Sequence, residues 1–109
     1  MKLPNAENVR IDDGRVRGHL LSTTHAVGRF KARVFSVIGF DETKADAFVA
    51  ELRRLAAVGE VAEVEDFPFG RKYTVPGELR GPAGSLPVQT VWIEEPGQPS
   101  ARLVTVRPR

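Results

Sequence analysis

The residues best equipped for chemistry fall in the early part of this 109-residue chain and near its end. His25-Ala-Val-Gly-Arg-Phe-Lys-Ala-Arg-Val-Phe35 sets one imidazole and three cations, Arg29, Lys31 and Arg33, at the start of an apolar helix. Thr90-Val-Trp92 and Leu103-Val-Thr-Val-Arg107 alternate apolar residues with Thr90, Trp92, Thr105 and Arg107, as strands do. Imidazole titrates near neutrality, which suits His25 to general acid/base work. The cations behind it suit a phosphate clamp, helped by the free amides of a helix N-terminus. Arg71 would neutralise a phosphorane-like transition state, and Tyr73 would stack a base or donate a hydrogen bond. Thr105 and Arg107 would contact phosphate, and an exposed Trp92 beside Thr90 would stack a nucleobase.

Each of these residues also has a plainer reading. His25 can bond a backbone group at a helix start, and His19 reads as a partly exposed surface residue. The cations can form a solvated face, and Arg71 and Tyr73 a cross-strand pair covering the sheet. Trp92, the only tryptophan, is core if a loop covers it. Asp12/Asp13 and Glu94/Glu95 are better explained by capping or a turn than by glycosidase chemistry. Gly81-Pro-Ala-Gly84 lacks the Lys-Ser/Thr of a phosphate loop.

These side chains need a scaffold, and the periodicity of the chain changes half-way to supply one. Asp12 or Asp13 caps a short helix holding Val16, Leu20 and Leu21, weakened by Gly14 and Gly18. Ser22–His25 reads as a turn. A second helix runs from about Gly28 to Ile38, with Phe30, Val34, Val37 and Ile38 on one face, and Gly39 ends it. A third opens at Asp41 or Thr43, carries Ala45, Phe48, Val49, Leu52, Leu55 and Ala56, and stops at Gly59. From there the period is two. Strands are expected at Glu60–Glu65 and Arg71–Val75 around Phe67-Pro-Phe-Gly70, and at Val88–Glu94 and Arg102–Arg107 around Pro96-Gly97-Gln98-Pro99. Pro76-Gly77 should end the second strand, with a loop at Gly81–Gly84. The expected fold class is α+β: about three N-terminal helices on one face of a four-stranded antiparallel meander. The domain reading is a single unit over 1–109, helical to residue 58 and sheet from 59. Strand parity places Val91 with Ile93 and Val104 with Val106, and these faces are expected to pack on the helices. The opposite face would then display Thr90, Trp92, Thr105 and Arg107, joined by Arg71 and Tyr73.

Composition narrows the chemistry. There is no cysteine, so disulfides, thiolate metal sites and a cysteine nucleophile are excluded. With two histidines and no ligand spacing, neither a metal nor another cofactor is expected. Net charge is +2, unevenly spread: residues 1–40 hold seven Lys/Arg against three acids, residues 41–66 eight acids against three bases, residues 67–109 six bases against three acids. This implies a basic face and an acidic one. No apolar run approaches a membrane span and the N-terminus has no signal core, so the expected location is cytoplasmic, or delivery as an effector by a larger secretion system.

Met1-Lys-Leu-Pro-Asn-Ala6, His25-x-x-Gly-x-x-Lys-Ala-Arg-x-Phe35, Gly39-Phe40, Thr90-Val-Trp-Ile93 and Leu103-Val-Thr-Val106 together resemble a small bacterial domain family of unknown function, across nearly the whole chain. In layout, helices followed by a meander, the chain is similar to the barnase/EndoU/colicin/RelE-like ribonuclease toxins. That similarity implies attack of a 2′-hydroxyl on the adjacent phosphate without a metal. It implies His25 as acid/base, Lys31 and Arg71 as charge stabilisers, and Tyr73, Thr90 and Thr105 as orienting groups. The chain departs from that class in having no second histidine downstream of His25 and only a modest positive charge.

The leading expectation is thus a metal-independent endoribonuclease of bacterial toxin type. Its catalytic residues would be His25, Lys31, Arg71, Tyr73 and Thr105, and its substrate contacts Arg29, Arg33, Thr90, Trp92 and Arg107. Its partners would be RNA and a small acidic antitoxin or immunity protein. The alternatives are a non-catalytic partner-binding domain (antitoxin, immunity or accessory protein) and a nucleic-acid-binding module without cleavage.

Overall fold

The chain folds from its N-terminus as helices and then as a meander. The computed structural model describes residues 1–21 and 29–109, with His19, Arg29 and Phe30 described by their backbone alone. The first helix, α1, covers Asp13–Arg15 and widens into a π-helical stretch over Val16–Leu20. Asp12 caps it, its Oδ1 accepting from the Gly14 N–H at 2.8 Å. The next, α2, covers Arg29–Val37 and buries Ala32 and Phe35. Gly39, at φ 98°, ends it. The Gly39 N–H reaches the Ser36 carbonyl and the Phe40 N–H reaches that of Phe35, a Schellman closure that a side chain at residue 39 would strain. The third, α3, covers Ala45–Val58 and buries Ala45, Phe48, Leu52, Leu55 and Ala56. Phe48 ties α3 to α2 and to the segment that connects them, its ring 5.3 Å from that of Phe35 and 5.2 Å from that of Phe40.

Strands β1 (Glu63–Phe67), β2 (Gly70–Gly81), β3 (Gly84–Glu94) and β4 (Arg102–Pro108) pair antiparallel in the order β1-β2-β3-β4. Helices on one face of an antiparallel meander is the architecture the periodicity predicts. The strand bounds differ from the expectation at two places. Glu60 bridges Lys2, and the Val61 N–H donates to the Met1 carbonyl, so β1 begins only at Glu63. The second strand does not stop at Pro76-Gly77. Register with β1 ends at Thr74, so on that side the missing N–H of Pro76 interrupts no ladder, and β2 continues to Gly81. Gly81 and Gly84 then pair across Pro82-Ala83, making a tight hairpin of the expected loop.

This hairpin fixes the end of α2. The Ala83 N–H donates to the Ile38 carbonyl at 2.9 Å, and a Cβ on Gly81 would stand 2.1 Å from that same oxygen. The opposite edge of the sheet is closed by the N-terminal segment. The Arg10 N–H donates to the Ala101 carbonyl and the Leu103 N–H to the Arg10 carbonyl, so Arg10 extends the sheet beyond β4 in parallel.

The facing of the sheet reverses the expectation. Tyr73, Val75, Leu79, Val88, Trp92, Leu103 and Val106 form the core with the helices. Trp92 and Thr90 are fully buried, each at 0% exposure. Val91 and Ile93 fall on the other face. In β4 the alternation breaks: Val91 pairs with Thr105 but Trp92 pairs with Leu103, leaving Val104 as an extra, bulged residue. Leu103 and Val106 are therefore both core although three apart, and Val104 and Val106 do not act as one face.

Among the described residues no helix is long and apolar enough to cross a membrane.

Candidate functional site

The bulge in β4 and the anchoring of α2 determine which polar groups meet. With its C-terminal end tied to the β2–β3 hairpin, α2 brings its first turn against β4. Lys31 Nζ donates to Thr105 Oγ1 at 2.8 Å. Thr105 is nearly buried, and Arg107, two residues on along β4, is exposed. Arg107 and Arg15 both bear electrostatically on the Lys31 ammonium. Burial, followed by these two arginines, pushes the Lys31 amine below its ordinary value. Among the described residues no carboxylate lies within ion-pairing distance of Lys31, Arg15 or Arg107. Two arginines without an acidic partner among the described residues, set around a lysine already disfavoured as a cation, make a place where an anion is stabilised.

A cleft of about 290 Å³ opens next to this group, lined by Arg10, Ile11, Asp12, Arg15, Arg102 and Leu103. Arg15 belongs to both. Glu95 sits between the other two arginines, 2.8 Å from Arg102 Nε and 3.8 Å from Arg10 Nη2. Arg10 also donates to the Ser100 carbonyl, while its buried Nε has no hydrogen-bond partner among the described residues.

The remaining expected site residues lie elsewhere. Trp92 Nε1 donates to Thr90 Oγ1, and Thr90 Oγ1 donates to the Val75 carbonyl, each at 2.8 Å. Both side chains are consumed by a buried chain of hydrogen bonds, so the display of Thr90 and Trp92 to a substrate is corrected: the indole has no free face to stack. Tyr73 is likewise core, with its hydroxyl 3.4 Å from a Glu94 carboxylate oxygen. Arg71 is at the hairpin end of β2, its Nε 2.6 Å from Asp66 Oδ1. Asp66 and then the Tyr73 hydroxyl hold its guanidinium above its ordinary value. Arg71 pairs in register with Glu94 and Thr105 with Val91. The two are thus about 10 Å apart along the sheet and two strands apart across it. The expected convergence of Arg71 and Tyr73 with the helix-borne cations does not occur. Arg33 is exposed on α2 and has a partner of its own. His25, and the side chains of Arg29 and His19, lie outside the described residues.

Of the ten expected residues, then, Lys31, Thr105 and Arg107 come together. Arg15 and Arg10 were visible only as members of the basic N-terminal third. Arg102 was visible only as the first residue of the last strand. Among the described residues no three His, Asp or Glu side chains cluster as a metal site would require.

A family model described as a domain of unknown function, DUF6883, matches residues 2–109. The chain belongs to the DUF6883 family. No curated protein matches it in sequence. Among solved structures, a chain of the contact-dependent growth inhibition toxin–immunity protein complex from Klebsiella pneumoniae 342 superimposes with a TM-score of 0.70 at 15% identity. The overlap covers 91% of this chain and 98% of the other. At that identity the likeness is one of fold: this DUF6883 chain shares the helices-then-meander arrangement. Its cations must be read from its own geometry.

Proposed function

We propose that the protein is a metal-independent endoribonuclease of bacterial toxin type, acting at the Lys31–Thr105–Arg107–Arg15 site. The observation that carries this reading is the 2.8 Å Lys31–Thr105 hydrogen bond, set among cations that have no carboxylate at ion-pairing distance among the described residues. A phosphodiester supplies the missing negative charge. Arg107 and Arg15 hold its non-bridging oxygens and Thr105 orients them. Lys31 stabilises the charge that builds as a 2′-hydroxyl attacks the adjacent phosphorus. His25, six positions before Lys31, is the acid/base that takes the hydroxyl proton and returns one to the leaving oxygen. The fold shared with a chain of a toxin–immunity protein complex supports a protein of toxin or immunity type that meets a protein partner.

The test is expression from a tightly repressed bacterial promoter of the wild type, His25→Ala and Lys31→Met, reading growth and RNA integrity, small RNAs included. Growth arrest with RNA breakdown that both substitutions abolish is the expected result. Intact RNA and normal growth with soluble wild-type protein would sink the reading.

A second reading, a non-catalytic partner-binding protein of immunity or accessory type, is favoured by a different feature. In the β1–β2 hairpin turn, Phe69 is largely exposed and its ring stacks on Phe67 at 5.2 Å. Capture of a protein partner by the wild type but not by Phe69→Asp, with no effect on RNA, would favour it.

A further inference from the structure

We propose that the Arg10–Arg15–Arg102 cleft is a second phosphate subsite, so that the protein grips two consecutive phosphodiesters of one single-stranded RNA. The inference rests on the reading of the Lys31 site as a phosphate site and extends it. Arg15 lines the cleft and also acts on Lys31, so the two groups of cations are continuous. Their spacing follows from the register. Thr105 pairs with Val91 and Arg102 pairs with Ile93. Val91 and Ile93 are two residues apart on β3, so Thr105 and Arg102 rise from the same face about 7 Å apart along the strand. That is close to the separation of neighbouring phosphates in a nucleic-acid chain. The bulge at Val104 produces this match, because it brings two residues three apart in sequence into two-residue register.

The charge balance also suits a polyanion. Glu95 is shared by two arginines, so one carboxylate faces two guanidiniums. Asp12 lines the cleft but is engaged in capping the Gly14 N–H. Arg15 has no acidic partner among the described residues. The cleft therefore keeps donors for a phosphate after its internal pairs are counted. An extended single strand, whose successive phosphates turn to one side, follows such a line of cations better than a duplex does.

The test compares two non-cleavable 2′-O-methyl oligonucleotides, a dinucleotide with one phosphodiester and a trinucleotide with two, by chemical-shift titration at low salt. Wild-type protein is expected to bind the trinucleotide about tenfold more tightly, with a salt slope steeper by about 0.7 for the added phosphate. Arg102→Gln should bring the ratio of the two affinities close to one. Glu95→Gln, which releases both arginines, should raise the ratio, a change opposite to simple loss of structure and readable even if Arg102→Gln does not fold. A wild-type ratio near one, or a ratio unmoved by both substitutions, overturns the subsite. So does an acidic triglutamate peptide that binds with Arg102 dependence while the trinucleotide shows no gain. The underlying phosphate reading fails separately, if the dinucleotide binds wild type no better than Lys31→Met.

Discussion

Lys31 Nζ and Thr105 Oγ1 meet at 2.8 Å across 74 residues of sequence, joining the first turn of α2 to the last strand. The contact places an ammonium where burial and two arginines both oppose its charge. Such a lysine is poor as a structural element and useful as a ligand for an anion.

Replacing Lys31 should therefore separate activity from stability. Lys31→Met keeps most of the aliphatic stem and removes the repelled charge. We expect RNA-cleaving activity to fall by about 10²–10³, the scale of losing one preorganised charge stabiliser. The melting temperature should hold or rise by about 1–4 °C, as relief of a half-exposed repulsion allows. A large fall in melting temperature, measured by circular dichroism, would show that the lysine is structural.

The same shift fixes a pH dependence. The Lys31 amine titrates below its ordinary 10.5 in the folded chain. As pH falls from above that value, the unfolded chain takes up the proton first, so the unfolded state gains and stability decreases. Stability attributable to this group is fully present above the unfolded value and is lost as pH falls through the folded one. The melting-temperature difference, Lys31→Met minus wild type, should be positive near pH 8 and shrink toward zero by about pH 11. Bound inorganic phosphate should reduce the difference at the lower pH. A difference that does not change with pH would contradict the burial and repulsion ascribed to this amine.

Thr90 offers the converse separation. Thr90→Val keeps the shape but leaves both Trp92 Nε1 and the Val75 carbonyl without the partners they have now, in the core. Each orphaned group costs about 1–3 kcal/mol, so unfolding in urea should show a loss of about 2–6 kcal/mol. Activity per folded molecule should stay within about twofold, since the hydroxyl touches no candidate site group. The single tryptophan should resist acrylamide quenching and keep its emission when an oligonucleotide binds. Quenching by the oligonucleotide would restore Trp92 as a stacking platform.

The order and type of the elements were legible because Phe48, Leu52, Leu55 and the alternating strands carry strong periods. The facing of the sheet was not. Thr90 reads as polar and Val91 as apolar, but the Thr90 hydroxyl accepts from the Trp92 indole and donates to the Val75 carbonyl, which removes the penalty for burying them together. The Val104 bulge leaves no mark in a run of Leu-Val-Thr-Val, and it moves Thr105 to the face opposite Leu103. Lys31, Thr105 and Arg107 could each be named from residue type. Their meeting depends on the first turn of α2 lying against β4, a long-range placement that no local pattern of residues encodes. Arg71 was misplaced for a simpler reason: Asp66 is its hairpin neighbour and pairs with it directly.

The contact between Ile38 and the β2–β3 hairpin gives the last prediction. Gly81 lies against the Ile38 carbonyl, and a Cβ there would approach backbone, which cannot turn aside as a side-chain tip can. Gly81→Ala should destabilise by about 1–3 kcal/mol, as overpacking does, and should loosen the seat of α2. Because α2 carries Lys31 to Thr105, activity should fall further than the folded fraction does. Gly18, by contrast, has nothing among the described residues within 4 Å of where its Cβ would stand, and Gly18→Ala should stabilise by about 0.5–1 kcal/mol through helix propensity. The check is urea unfolding of both variants alongside RNA cleavage at matched folded concentration. Equal specific activity for Gly81→Ala and wild type would mean that the hairpin clamp stabilises the fold without positioning the site.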